Sequence, residues 1–324
     1  MGEVFARRYE LLEPVADGAM GSVWLVRDHT DGDVKAAKLL RQSDAGSLLR
    51  FMREQSTRIH HPHVVTPLSW VGEDDAVLFT MPLVRGGSVA TLIGDWGPLP
   101  EAWVIAVLDQ TLAGLEAVHA ARVVHRDVKP ANLLLEPTGR AAPHVRLTDF
   151  GIAAPMDEPR MTHAAVSLGT PGYMAPEQRA GADPDPRQDL FAVGTVGLEM
   201  LTGHRPPFEA DEIPRTPLGD LLVAARSPDP AGRPPSAAAL RARLSAIAPS
   251  TWQPGEVEVL DQFAGEPPPY VGTATLVLPP TPEPTSGPAR PLPVRGGPAG
   301  PAVVLLALVG VLLLVLSAVL VLRG

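Results

Sequence analysis

Between Tyr9 and about Val84 apolar and polar residues alternate in short runs, the period-two signature of strands with one buried face. Strands are predicted at Tyr9–Val15, Val23–Asp28, Val34–Leu40, Val64–Val71 and Ala76–Met81, with one helical stretch at about Gly46–Ile59. From Ser88 to about Ile247 the apolar spacing lengthens to a helical period, most clearly over Glu101–Ala121 and Gln188–Thr202. A strand-rich part followed by a helical part implies an α+β chain with two segregated lobes. Beyond residue 249 the periodicity ends, and Pro, Gly and Thr dominate to residue 300, which reads as a disordered linker. Ala302–Leu322 then runs 21 positions without a charge, with Ser317 its one polar side chain. As a helix it would span roughly 31 Å, the thickness of a bilayer's hydrocarbon core. The expected organisation is a tail at 1–8, a folded domain at 9–248 (small lobe 9–84, large lobe 85–248), a linker at 249–300, a transmembrane helix at 301–322 and a stub at 323–324.

Composition narrows the options. The formal net charge of -9 argues against nucleic acid as a partner. With no cysteine there are no disulfides, no thiol chemistry and no Cys-ligated zinc. Residues 1–8 hold no signal-peptide core. Ala6 stands where an N-myristoylation signal wants Ser or Thr. His60-His61-Pro62-His63 is a tempting metal cluster.

The chemistry concentrates in one short string, His125-Arg126-Asp127-Val128-Lys129-Pro130-Ala131-Asn132-Leu133, followed by Asp149-Phe150-Gly151. A carboxylate, an ammonium and an amide share a loop, and a second carboxylate ends the next apolar run. Phosphoryl transfer needs that set: an Asp to take the proton of an incoming hydroxyl, a Lys on the moving phosphate, and an Asn and an Asp to hold Mg²⁺. Asp-x-x-x-x-Asn alone is weak, whereas the full string with Asp-Phe-Gly at this distance is specific.

The string resembles the catalytic loop of protein kinases, and its Lys-Pro resembles the serine/threonine class, in particular the membrane-anchored, eukaryotic-like kinases of bacteria. The resemblance covers about three quarters of the chain and implies a two-lobed kinase fold. Ala16-Asp17-Gly18-Ala19-Met20-Gly21-Ser22-Val23, entered from Val15, is similar to the glycine-rich loop over the ATP phosphates, with Ala16 in the first glycine's place. A methyl group there is tolerable if φ stays negative. Lys35-Ala36-Ala37-Lys38 resembles the strand carrying the phosphate-binding lysine. Alternation puts Ala36, with room for adenine, on the face of Lys38, and Lys35 is expected at the surface. Glu54 is implied as the partner of Lys38. The resemblance implies a helix-to-strand turn, not a metal site, at His60-His61-Pro62-His63. Phe79-Thr80-Met81-Pro82-Leu83-Val84-Arg85-Gly86-Gly87 resembles the hinge joining the lobes, with Met81 behind the adenine, the Pro82 carbonyl and the Val84 N–H contacting it.

The resemblance further implies that Asp127 deprotonates the substrate hydroxyl, Lys129 stabilises the γ-phosphoryl group, and Asn132 and Asp149 bind Mg²⁺, with Mn²⁺ as a substitute. His125 is expected to be a structural hub. Gly169-Thr170-Pro171-Gly172-Tyr173-Met174-Ala175-Pro176-Glu177 is similar to the end of an activation segment. Thr170 is expected against Asp127 and Lys129, Glu177 against Arg233, and Asp189 beneath the catalytic loop. Thr162 and Ser167 are candidate autophosphorylation sites, which would favour a homodimer acting in trans. Thr273, Thr275 and Thr281 are candidate ligands for phosphothreonine-reading partners. About twenty residues separate Phe208 from Asp229, so a docking helix of the family is expected to be short or missing. The expected location is the cell membrane, single-pass, with the kinase domain cytoplasmic and no sensor module beyond the helix. Expected partners are proteins bearing Ser or Thr. The rival readings are a catalytically weak pseudokinase scaffold, which needs a broken site, and a small-molecule phosphotransferase, which needs no peptide-docking turn.

Overall fold

The computed structural model describes residues 3–18, 21–41, 59–149, 154–155, 170–247 and 255–263. The alternating segment forms a six-stranded antiparallel sheet from β1 (Val4–Phe5), β2 (Tyr9–Gly18), β3 (Gly21–Asp28), β4 (Val34–Arg41), β5 (Ser69–Glu73) and β6 (Ala76–Met81). The order is β1-β2-β3-β4-β6-β5. Leu11, Val26, Ala37, Leu39 and Leu78 bury one another with Phe5 and Tyr9. Because Ala37 and Leu39 point into this cluster, alternation turns Ala36 and Lys38 the other way.

Two strand expectations need correction. Part of the expected tail is a strand: β1 pairs with Tyr9 and Glu10, and Phe5 is buried. Two residues are too few to show a period. The expected strand Val64–Val71 starts only at Ser69. Val64 and Val65 turn instead to the large lobe, where the Val65 N–H donates to the Leu147 carbonyl at 2.8 Å. Pro67, which has no N–H to give a ladder, separates them from β5. The helix expected at 46–59 lies outside the described residues save for Ile59, which is buried.

The large lobe comprises α1 (Val89–Trp96), α2 (Glu101–Ala120), the single turn α3 (Pro176–Arg179), α4 (Pro186–Thr202), α5 (Pro217–Ala225) and α6 (Ala237–Ala246). Short strand pairs are β7 (Val123–Val124) with β10 (Ala154–Pro155) and β8 (Leu133–Leu135) with β9 (Val145–Leu147). Every residue of α4 from Gln188 to Met200 is buried, so this helix is the pillar of the lobe. Its ends are set locally: the Asp185 side chain accepts the Arg187 N–H, Pro186 occupies the first position, and Gly203 closes the helix in the left-handed region. Among the described residues nothing helical lies between Thr202 and Pro217, which leaves α5 as the one helix of the shortened stretch.

Part of the expected linker is packed. Val257 and Val259 are 1% and 2% exposed within the large-lobe core. Their alternation spans only three residues and does not stand out from the proline-rich surroundings. Among the described residues no helix is long and apolar enough to cross a membrane, and residues 301–322 lie outside them.

Candidate active site

The loop 125–132 leaves β7 and is fastened from below by α4. Asp189 Oδ2 accepts the His125 N–H at 2.9 Å, and Oδ1 accepts the Arg126 N–H at 2.7 Å. His119 Nε2 lies 2.8 Å from Oδ2. Burial alone would push the Asp189 carboxyl up, but His119, His125 and the Arg126 N–H outweigh it and hold it below the ordinary carboxylate value. Arg126 has φ 68°, a conformation that costs a non-glycine residue on the order of 1 kcal/mol or more. Asp189 on its N–H and Gln178 Nε2, which donates to its carbonyl at 3.0 Å, hold it there.

His125 is fully buried. Its Nδ1 accepts the Asp127 N–H at 3.3 Å, and its Nε2 lies 3.0 Å from the Thr148 carbonyl. One tautomer serves both contacts, so the ring joins the loop to the residue before Asp149.

The loop brings its chemistry together around Asp127, which is 9% exposed. Lys129 Nζ donates to Asp127 Oδ2 at 2.8 Å and to Thr170 Oγ1 at 2.9 Å. Thr170 Oγ1 lies 3.4 Å from Asp127 Oδ1. Asn132 Nδ2 donates to the Asp127 carbonyl at 2.8 Å and to Oδ2 at 3.0 Å. A carboxylate is thereby oriented by an ammonium and an amide while remaining open to the cleft.

From the small lobe, Lys38 on β4 reaches across and donates to Asp149 Oδ1 at 2.6 Å. Asp149, just past β9, has φ 68°. Glu54, the expected partner of Lys38, lies outside the described residues, as do Phe150, Gly151, Thr162 and Ser167. The pair Asn132 and Asp149 fits a hard divalent cation. Both supply oxygen, and the Asn132 nitrogen is committed to Asp127, which leaves Oδ1 to ligate. Among the described residues no group of three His, Asp or Glu is placed to hold a metal. His61, His63 and His144 instead pack as tilted ring pairs, with centroids 5.4 and 4.8 Å apart, and His63 Nδ1 sits 2.8 Å from the Val145 carbonyl.

The β2–β3 hairpin provides the roof. Asp17 pairs with Ser22 and Gly18 with Gly21, while Ala16 faces Val23 across a bulge. Ala16 is absent from the non-glycine residues with positive φ among those described, so its methyl group is unstrained. Gly21 has φ 132°, and a Cβ there would meet the Leu39 carbonyl at 2.2 Å. The close approach of β3 to β4 therefore depends on this glycine. Ala19 and Met20 lie outside the described residues, and Val15 is exposed at the hairpin. Ala36 stands opposite Met81 in the ladder, and Met81 Sδ lies 4.0 Å from Thr148 Oγ1. Neither the Pro82 carbonyl nor the Val84 N–H has a hydrogen bond among the described residues, so both can serve a planar base. Lys35 is only partly at the surface: it is pinned to Asp28 at 2.7 Å, and Arg8 holds the same carboxylate at 2.8 Å.

Below the docking turn, Arg233 donates to both Glu177 oxygens, at 2.6 and 2.8 Å, and to the Arg187 and Ser227 carbonyls. Tyr173 donates to Glu199, whose carboxyl burial pushes up.

The family profile for the protein kinase domain matches residues 9–221 of this chain. This chain belongs to the protein kinase family. The kinase is 34% identical over 280 residues to the serine/threonine-protein kinase pkn3 of Myxococcus xanthus, covering 76% of the chain and 51% of that relative. It is 36% identical over 221 residues to PknA of Mycobacterium tuberculosis, covering 65% and 50%. With PkaB of Streptomyces coelicolor the identity is 39% over 215 residues, covering 64% and 51%. The kinase thus spans about half the length of these curated relatives.

Three participants in the kinase site escaped the sequence. Gln178 follows Glu177 with no pattern to mark it, His119 is one polar residue on a helix, and Thr148 contributes a carbonyl. Only tertiary packing shows what each does.

Proposed function

We propose that this protein is a serine/threonine protein kinase, transferring the γ-phosphoryl group of ATP to Ser or Thr hydroxyls of proteins. The observation that carries this reading is Asp127, Lys129, Asn132 and Thr170 gathered at one carboxylate, with Lys38 joined to Asp149 across the lobes. Asp127 orients the acceptor hydroxyl and takes its proton as the new O–P bond forms and the bond to the ADP oxygen breaks. Lys129 stabilises the charge on the transferring group, and Thr170 keeps its ammonium beside Asp127. Lys38 holds the α and β phosphates, and the β2–β3 hairpin covers them. Mg²⁺ held by Asn132 and Asp149 would offset the charge developing on the phosphate oxygens.

The finer readings belong to the same proposal. Thr162 and Ser167 gain phosphate in trans, within a transient homodimer, and the added charge of about -1.5 to -2 pairs with Arg126. Residues 301–322 anchor the chain in the cell membrane, with the kinase domain on the cytoplasmic side where ATP is found. The linker threonines offer phosphothreonine to reader domains.

The test is full-length protein in detergent micelles with ATP, Mg²⁺ and a generic Ser/Thr-rich acceptor. Phosphoserine or phosphothreonine should form and should disappear when EDTA removes the metal. No phosphoamino acid in either sample would favour the scaffold reading.

A further inference from the structure

We propose that residues Gly255–Phe263 form a strap that positions the nucleotide-binding hinge through Arg85, so that the segment after the kinase domain helps set the affinity for ATP. The inference rests on the kinase reading and extends it.

The hinge leaves the small lobe at Val84 and continues into Arg85, Gly86 and Gly87 before α1 begins. This exit is held along both edges. On one side the Gly86 N–H donates to the Leu135 carbonyl at 2.7 Å, and the Leu135 N–H donates to Gly87 at 2.9 Å. On the other side the Gln262 N–H donates to the Arg85 carbonyl at 2.7 Å. The Arg85 side chain is fixed as well: its Nε lies 2.9 Å from Asp261 Oδ2, and its second nitrogen donates to the Phe263 carbonyl. Asp261 is itself oriented by the Phe263 N–H at 2.8 Å.

The strap has its own anchorage. Val259 exchanges two hydrogen bonds with Gly139, each of 2.9 Å, and its side chain is buried with that of Val257. The fit explains Gly86. A Cβ there would meet the Leu135 carbonyl at 2.4 Å and Val259 Cγ1 at 2.7 Å, so β8 and the strap press on the hinge exit from two directions. A nine-residue segment far along the chain thus holds the residue next to the Val84 N–H. Moving that N–H by a fraction of an ångström alters its bond to the base. In sequence the segment lies between α6 and the apolar block at 302–322.

The expected signature is specific to nucleotide. In full-length protein Asp261→Ala and Arg85→Ala should raise the KM for ATP about three- to fivefold, the effect of losing one partly exposed ion pair. The kcat and the KM for the protein acceptor should stay within about twofold. The swap Arg85→Asp with Asp261→Arg should recover most of the ATP affinity. Direct titration with Mg·ATP should give the same ratios of Kd, a readout that works whether or not phosphoryl transfer occurs. Unchanged ATP affinity in both single variants, or a fall in melting temperature alone, would overturn the strap. An inactive wild type that still binds ATP more tightly than Asp261→Ala would overturn the enzymatic reading and keep the strap.

Discussion

At the scale of single residues the site is a set of mutual constraints on one carboxylate. Thr170 shows this most simply, since its hydroxyl contacts both Lys129 and Asp127. Thr170→Val removes a hydrogen bond to charged groups, worth about 1.5–3 kcal/mol, and should lower kcat by about tenfold to a hundredfold. Thr170→Ser should keep most of the rate; steady-state kinetics with saturating ATP measures both. Asp189 acts one layer further down. Its folded carboxyl ionises below the ordinary range, so the stability it contributes is present above the unfolded value of about 3.9 and is lost as pH falls below it. The gap in urea midpoint between wild type and Asp189→Asn should be largest at neutral pH and should shrink below about pH 4.

Elements are joined by similar clamps. Arg233, whose side chain is fully buried, ties α3 to α4 and to the turn after α5 through five acceptor atoms. Arg233→Ala leaves Glu177 without its partner and should cost about 3–5 kcal/mol, read from chemical denaturation. The long helices were legible because α2 and α4 repeat their apolar spacing over many turns, and α4 also carries its own stop signal in Gly203. Strands of the sheet were legible where alternation lasted five residues or more. It misled at Val64–Val65, which leave the sheet for the seam between the lobes, Val64 being buried with Val77 and Phe79 on one side and Val118 and Val123 on the other. It was silent at β1 and at the strap, where two or three residues carry the burial. The strap also binds through backbone groups, which every sequence possesses.

For the molecule as a whole, the catalytic set could be read because the chemistry sits within a few residues of one loop and in Asp149, two short strands later. Of its support, Asp189 was foreseen only through the family resemblance and Gln178 not at all, because both reach that loop from more than fifty residues away. His61 and His63 contribute to how the fold responds to mild acid. Burial lowers the affinity of His61 and His63 for a proton, with the Arg241 charge adding to the effect at His61 and the Val145 carbonyl opposing it at His63. The unfolded chain therefore takes up protons first as pH falls below about 6.5, and folding stability declines. The melting temperature should drop between pH 7 and 5.5, and His63→Asn, which can still donate to the Val145 carbonyl, should flatten that drop. A drop of the same size in His63→Asn would assign it to other groups.

The central claim is that Asp127 serves the transfer step and not the binding of nucleotide. It is tested most directly by comparing full-length wild type with Asp127→Asn in single-turnover transfer from Mg·ATP, with nucleotide Kd measured on the same samples. The account predicts a Kd within about twofold and a transfer rate lower by about 10²–10⁴, the range of general base catalysis. Equal transfer rates in the two proteins would contradict it.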